Sequence, residues 1–258
     1  MNPKVIAITG ASSGIGAALA KELGSKGHRL VLGARRGKEL KEVASHAGAE
    51  ALPVGMDVTR RQDVERLRDA AIERFGHVDV WVNNAGRGSG STVMELSEEE
   101  LDEMIDVNLK SVFYGMKAIV PHFQKRGEGH LINVSSFLGR VPLATYRSAY
   151  NAAKAGANAL TANLRMDLRA KYPKVHVSLV MAGFVDTDFH KVAKTPFSVK
   201  AGTRVGEAIV QSAEEVAGQV ASLMENPVAE LYTNPGLRDL AVRYYQDVGA
   251  FEERIGQR

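Results

Sequence analysis

Val5-Ile6-Ala7-Ile8-Thr9 runs straight into Gly10-Ala11-Ser12-Ser13-Gly14-Ile15-Gly16 and then into a helical pattern that reaches Lys26. A short apolar strand, a glycine-rich turn and a helix start are the parts that a phosphate-binding loop requires. Glycine lets the backbone turn tightly and approach a pyrophosphate. The helix N-terminus adds unpaired N–H groups and a partial positive charge. Three glycines in a turn are, by themselves, as often plain turn chemistry. The strand before them and the helix after them weight the reading toward a nucleotide.

Outward from this unit, short β-branched runs alternate with longer amphipathic stretches. Repeated βαβ units feeding a parallel sheet with helices on both faces have this pattern. Strands are expected over Val5 to Thr9, Arg29 to Ala34, Glu50 to Asp57, Val78 to Asn83, His130 to Ser135, Val175 to Met181 and Glu230 to Thr233. Several are nearly continuous apolar runs, as strands buried on both faces are. Helices are expected over Gly14 to Lys26, Lys38 to His46, Arg60 to Phe75, Ser97 to Lys125, Tyr150 to Lys171 and Ala213 to Glu225. Thr59 is the expected N-cap of the third. Ser97-Glu98-Glu99-Glu100 reads as an N-cap, acidic first-turn residues and a glutamate at the capping-box position. The fold class that follows is α/β, a Rossmann-like doubly wound parallel sheet of about seven strands flanked by helices.

The length, 258 residues, suits a single domain over the whole chain. Lys+Arg 33 against Asp+Glu 30 leaves a net charge of +3, scattered rather than gathered in a basic tail, which argues against nucleic acid as the main ligand. No stretch has the unbroken apolar length of a membrane span, and Met1 to Thr9 lacks the long apolar core of a signal peptide, so a cytoplasmic address is expected. With Cys 0 there is no disulfide framework, thiolate metal site or cysteine nucleophile. The histidines show no helical-face pair, and no metal is expected.

Further motifs follow in order. Asn83-Asn84-Ala85-Gly86 ends the fourth expected strand, Asn108 sits inside a helix, Asn133-Val134-Ser135-Ser136 closes the fifth strand, and Tyr150 precedes Lys154 by one helical turn. Taken with the Gly10, Gly14 and Gly16 spacing, this series resembles the short-chain dehydrogenase/reductase family, collinearly over about residues 4 to 187. A tyrosine four residues before a lysine is common on helices; the serine and the glycine loop upstream reverse those odds. Tyr150 and Lys154 share a helical face. A tyrosine needs a nearby cation to reach phenolate near neutral pH, which Lys154 would provide. The resemblance implies Tyr150 as acid/base, Ser136 as the group that hydrogen-bonds the substrate oxygen, and Asn108 as the holder of a water beside Lys154. Ser135 is an adjacent competitor; Ser136 is preferred because Gly139 follows it as in the family. Two departures stand out. The Ser136 to Tyr150 spacing is one residue longer than usual, and Ala182-Gly183 replaces the common Pro-Gly, which predicts a more mobile loop.

For the cofactor, Gly10, Ser12, Ser13, Gly14, Ile15 and Gly16 are expected at the pyrophosphate. Arg35 and Arg36 follow the second strand, where an acid would grip a ribose 2′-hydroxyl and an arginine suits a 2′-phosphate. NADP(H) is therefore preferred, with NAD(H) left open. The resemblance places Asp57 and Val58 beside the adenine, Asn84, Ala85 and Gly86 along the cofactor, and Gly183, Val185 and Thr187 near the nicotinamide, with Tyr150 and Lys154 also in contact. The substrate pocket is expected from loops Arg87 to Val93, Phe137 to Arg147 and a lid at about 184–206. Ser136, Phe137, Tyr150, Phe184 and Phe189 are its leading candidates, and Val93, Leu138, Val141, Leu143 and Phe197 further ones. An apolar small-molecule carbonyl or alcohol is the expected substrate. An extra helix at about 236–252 carries an apolar stripe from Leu237 to Phe251, which is expected to cover the substrate cleft, dock on a second subunit or, less favoured, lie on a membrane surface. The resemblance also implies a homodimer or homotetramer. Two rival functions stay open, a dehydratase or epimerase on this scaffold and a redox-silent NADP(H)-binding regulator.

Overall fold

A computed structural model describes residues 2–48, 50–189, 200–206 and 208–256. The first five strands and the helices between them are β1 Val5–Thr9, α1 Gly14–Ser25, β2 Arg29–Ala34, α2 Gly37–His46, β3 Ala51–Gly55, α3 Arg61–Phe75, β4 Val80–Asn83, α4 Glu98–Ile105, α5 Ser111–Arg126 and β5 Gly129–Ser136. After them come α6 Ser148–Arg169, β6 Val175–Ala182, the short strands β7 Val185–Asp186, β8 Arg204–Val205, β9 Ala208–Ile209 and β10 Gln211–Ser212, then α7 Ala213–Glu225, β11 Glu230–Tyr232, α8 Gly236–Gln246 and α9 Val248–Gly256.

The main sheet has seven strands in the order β11-β6-β5-β4-β1-β2-β3, every pair parallel. Alternation along the strands sorts the core into two layers. Ile6, Ile8, Leu30, Leu32, Val80 and Val82 meet α1, α2 and α7 on one face. Ala7, Val31, Trp81 and Leu131 meet α3, α5 and α6 on the other. Both faces are dry, which is why these strands read as unbroken apolar runs. The order in which successive strands are laid down reverses between β1 and β4, and a crevice opens there beyond the carboxyl ends of the strands. No helix among the described residues is long and apolar enough to cross a membrane.

Several expected boundaries move for identifiable reasons. β4 starts at Val80, just after Asp79, whose carboxylate accepts the Val5 N–H at 2.8 Å. Thr59 does not cap α3: its N–H and Oγ1 both donate to Asp57 Oδ1, and Arg60 takes the cap position without a side-chain bond. The expected long helix from Ser97 is interrupted by a π-turn over Asp106–Lys110, the one that carries Asn108. Ser97 does accept the Glu100 N–H, but the Glu100 carboxylate reaches Gly90 N and Ser91 Oγ instead of completing a box. A full capping box forms at Ser212 and Glu215, which the sequence reading passed over. The expected helix over 236–252 divides at Asp247, whose extended backbone ends α8 and whose carboxylate accepts the Ala250 N–H at 3.0 Å at the start of α9. Much of the expected lid, including Phe197, lies outside the described residues.

His130 of β5 is buried, with Nε2 2.8 Å from Ser178 Oγ and the His176 ring at 5.9 Å. Burial, then the charges of His176 and Lys4, push its pKa down to about 3. Unfolded, it titrates near 6.5, so the unfolded chain binds the extra proton first as pH falls, and stability present above about 6.5 is lost toward 3. The contribution lost by pH 4 is about 3 kcal/mol. Denaturant unfolding of His130→Gln should therefore show a smaller decline between pH 7 and pH 4 than the parent; an equal decline refutes this account.

Candidate active site

The crevice between β1 and β4 widens into a cavity of about 1150 Å³. Its floor at one end is the glycine loop. Gly10 has φ +69°, and a Cβ there would lie 2.7 Å from the Ala85 Cα, so both its conformation and its contact exclude a side chain. Ser13 precedes α1 without capping it, which leaves the first N–H groups of the helix without a side-chain acceptor. Gly16 does not line the cavity; a Cβ on it would sit 2.5 Å from both Asn84 Nδ2 and the Gly10 carbonyl, so its role is close packing beneath the loop.

Asn84 lines the cavity, yet its amide is spent on the loop itself, donating to the Thr9 and Gly10 carbonyls at 3.0 and 3.2 Å. Ala85 and Gly86 continue the same wall. Arg36 folds back onto Ser12 and Ser13 Oγ at the mouth of the loop, and Arg35 is exposed on the lining beside it. Neither arginine pairs with a carboxylate among the described residues. Asp57 and Val58 line the same end. Thr187 stands over Gly14, and Gly183 and Val185 close the wall between them and the sheet.

At the other end the π-turn rotates Asn108 into the protein. It is fully buried and off the lining; Oδ1 accepts Arg87 N at 3.2 Å, while Nδ2 donates to the Arg87 and Met104 carbonyls at 2.9 and 3.2 Å. Asn108 therefore pins the backbone that faces Lys154. On α6, Tyr150 and Lys154 are both buried on the face toward β5. Lys154 Nζ donates to the Val134 carbonyl at 3.0 Å and lies 5.8 Å from the Tyr150 ring centroid. Burial lowers the Lys154 pKa to about 8. Burial raises that of Tyr150, against which a hydrogen bond with Ser136 and the charge of Arg147 pull it down.

The two serines divide their roles across β5. Ser135 Oγ donates to Asn158 Oδ1 at 2.5 Å within the protein, whereas Ser136 lines the cavity with Tyr150. The longer connection between Ser136 and Tyr150 contains two short 3-10 turns, Phe137–Gly139 and Thr145–Arg147, and both side chains line the cavity. Ala182 ends β6 opposite Ser136 in the register. Phe137, Leu138, Leu143, Phe184 and Phe189 line the cavity, with the Phe189 ring 5.5 Å from that of Tyr150. Val93 does not: it is 72% exposed on a loop turned outward. Val141 is fully buried beneath the C-terminal helices instead.

The sequence reading missed Arg147 and left the far wall among its alternatives. Arg147 is 3% exposed, its guanidinium 5.3 Å from the Phe189 ring centroid and 5.7 Å from that of Tyr146. One helical turn separates it from Tyr150, a spacing that could have drawn notice. Leu237, Leu240 and Phe251 of the C-terminal stripe also line the cavity, but the stripe alone does not say which surface it covers.

The family described as short chain dehydrogenase matches residues 4–196. An uncharacterized oxidoreductase of Staphylococcus epidermidis is 35% identical over 224 residues, 87% of this chain and 92% of that protein. The uncharacterized oxidoreductase YxnA of Bacillus subtilis is 32% identical over 262 residues, covering 100% of this chain and 71% of that one. Among solved structures, an alcohol dehydrogenase from Thermococcus sibiricus complexed with 5-hydroxy-NADP has 33% identity and a TM-score of 0.77, over 90% of this chain and 97% of that one. A short chain dehydrogenase/reductase from Burkholderia phymatum in complex with NAD has 27% identity and a TM-score of 0.85, over 96% and 95%.

The buried Ser135–Asn158 contact gives a stability test. Ser135→Ala should cost about 1–3 kcal/mol by leaving Asn158 Oδ1 unpaired in a dry site. Urea unfolding of Ser135→Ala and Ser136→Ala should rank the first as clearly less stable; the opposite ranking overturns the division of roles.

Proposed function

The chain belongs to the short-chain dehydrogenase family, and from that premise we propose that it is an NADP(H)-preferring oxidoreductase interconverting a carbonyl and an alcohol on an apolar small molecule, with Tyr150 as proton carrier. The observation that carries this reading is the meeting of Ser136, Tyr150 and Lys154 at one end of the cavity whose other end is the glycine loop. The loop fits a dinucleotide: Gly10 leaves space that a Cβ would fill, and the uncapped α1 N-terminus and Arg36 both favour an anion beside it. When bound there, the nicotinamide supplies or accepts the hydride.

The protein's own groups manage the proton. Burial keeps Tyr150 protonated near neutral pH, the state required to protonate the oxygen of a carbonyl under reduction. Ser136 is placed to hydrogen-bond that oxygen and orient it toward Tyr150. In the oxidising direction Tyr150 takes the hydroxyl proton, and the resulting phenolate is stabilised by the nearby Lys154 ammonium, with Arg147 adding positive charge. Asn108 holds the Gly86–Arg87 backbone against Lys154, and we assign it the water contact there.

The preference for NADP(H) rests on Arg35 and Arg36, two guanidinium groups at the end of β2 suited to a 2′-phosphate. The same reading pairs copies of the chain through α5 and α6, where Phe113 and Met166 are 43% and 65% exposed, as a homodimer or homotetramer.

Turnover separates this reading from a regulator, and net consumption of the dinucleotide separates it from a dehydratase or epimerase. Tyr150→Phe should lower kcat by at least about 100-fold while dinucleotide affinity changes little, and Ser136→Ala should lower activity far more than Ser135→Ala. Retained turnover in Tyr150→Phe would remove its assigned role. Calorimetric titration should show NADPH binding at least about ten-fold tighter than NADH, a gap of about 1.4 kcal/mol that narrows in Arg35→Asp. Equal affinities, or no change in the variant, would count against the arginine assignment.

A further inference from the structure

The 3-10 turn that follows Ser136, Phe137–Gly139, is held from several sides. Gly139 lies directly on α6: a Cβ there would come within 2.7 Å of the Lys154 carbonyl carbon and 2.8 Å of the Lys154 Cβ, so nothing separates the turn from the lysine. Within the turn, the Leu138 N–H donates to Ser136 Oγ at 3.2 Å, and the Arg140 and Val141 N–H groups both donate to the Phe137 carbonyl, at 2.8 and 3.0 Å. The Ser136 hydroxyl is thereby tied to the turn. At the end of the turn Arg140 reaches β11, two places from β5 in the sheet, where its Nη2 meets Glu230 Oε1 at 2.6 Å. The Tyr245 hydroxyl of α8 donates to the Arg140 carbonyl at 2.9 Å. Neither Arg140 nor Glu230 lines the cavity, so any influence they have on the reaction passes through the turn.

A fully exposed ion pair contributes little, but this one is mostly covered: the Arg140 and Glu230 side chains are 28% and 29% exposed. The Arg140 Nε is buried without an acceptor among the described residues, which leaves the guanidinium dependent on its bond to Glu230. Burial works against the Arg140 charge, and the Glu230 carboxylate, with Tyr232 and Tyr245 beside it, outweighs that cost and raises the guanidinium pKa. Without the carboxylate, a cation largely shut off from water loses its counter-charge; turning out to solvent then becomes the favoured course, and it draws the turn off Lys154. We propose that Glu230 is a positioning residue of this site: by holding the Arg140 guanidinium it keeps the Phe137–Gly139 turn seated on Lys154 and Ser136 in place for the substrate oxygen. The part played by Ser136 rests on the oxidoreductase reading; the grip on the turn rests on the contacts alone.

Amide hydrogen exchange, followed by NMR in the full-length protein, reads the grip without any turnover. In Glu230→Gln the Arg140 and Val141 N–H groups should exchange at least about five-fold faster than in the parent, while those of Ile6 and Val82 in the sheet keep their rates. An equal rise at all four, which is general destabilisation, overturns the inference, as does no rise at Arg140 and Val141. Turnover reads the consequence for Ser136. With NADPH and 2-decanone as the carbonyl probe, Glu230→Gln should lower kcat at least about ten-fold and leave the KM for NADPH nearly unchanged. Glu230→Asp, with the same charge on a shorter arm, should recover part of the loss. Added to Ser136→Ala, Glu230→Gln should lower kcat little further, because a residue that acts through Ser136 then has nothing left to position. A full additional loss on that background, or no recovery in Glu230→Asp, overturns the assignment. A parent protein that does not reduce 2-decanone counts against the oxidoreductase reading, and the exchange rates then still decide whether Glu230 grips the turn.

Discussion

The active-site end of the molecule depends on how β1 and β4 are stitched where their connections leave in opposite directions. Thr9 Oγ1 accepts the N–H groups of Asn84 and Ala85 at 3.0 and 3.1 Å, and the Asn84 amide returns two bonds to the Thr9 and Gly10 carbonyls. Thr9 is buried, so each of these groups would otherwise face a dry site unpaired. The glycine loop and the Asn84–Gly86 turn are held as one piece, with Gly16 packed against the amide that joins them. A crevice opened by sheet topology thereby becomes a cavity of defined width.

A second set of buried bonds places α6 on the sheet. Trp81 Nε1 donates to Asn83 Oδ1, Asn83 Nδ2 to Asn133 Oδ1, and Asn133 Nδ2 to Thr161 Oγ1, at 2.7, 2.8 and 3.0 Å. Ser135 to Asn158 and Lys154 to the Val134 carbonyl complete the junction. Polar groups sealed in a protein interior tolerate few alternative arrangements, because each alternative leaves a donor or acceptor without a partner. The chain of amides and hydroxyls therefore sets where Tyr150 stands relative to Ser136. Burial that fixes this position also tunes it, raising Tyr150 and lowering Lys154, so that each is pushed toward its uncharged form.

The far wall has a different origin. Leu237, Ala241 and Phe251 join Phe137, Val141 and Ala208 in a small separate core, so the C-terminal helices are fastened to the loop that follows Ser136. The Tyr245 hydroxyl donates to the Arg140 carbonyl at 2.9 Å, and Arg140 pairs with Glu230 at 2.6 Å, tying that loop to the sheet edge as well. Asp247 breaks the helix before Phe251, which packs into this core. The loop that follows Ser136 and the helices that cover the cavity thus share one small core.

A parallel sheet of about seven strands with helices on both faces was readable from residue pattern, since Val5 to Ala7, Leu30 to Leu32 and Val80 to Val82 are apolar on both alternating faces and are separated by helices of ordinary length. The glycine loop and the Tyr150/Lys154 pair were readable because each is a local constraint: a positive φ, a helix start, one turn of spacing. What stayed hidden depends on contacts between segments far apart in the chain. Thr59 looks like a cap until Asp57 takes its hydrogen bonds; the Asn84 amide is committed to Thr9 and Gly10 while the residue lines the cavity; Ser135 stays a competitor of Ser136 until Asn158 takes it into the interior. The stripe from Leu237 to Phe251 required burial somewhere, but only the tertiary structure set it over the cavity. Periodicity and turn chemistry act within a few residues, whereas the partner of a buried polar group or an apolar face is chosen by the packing of the whole chain.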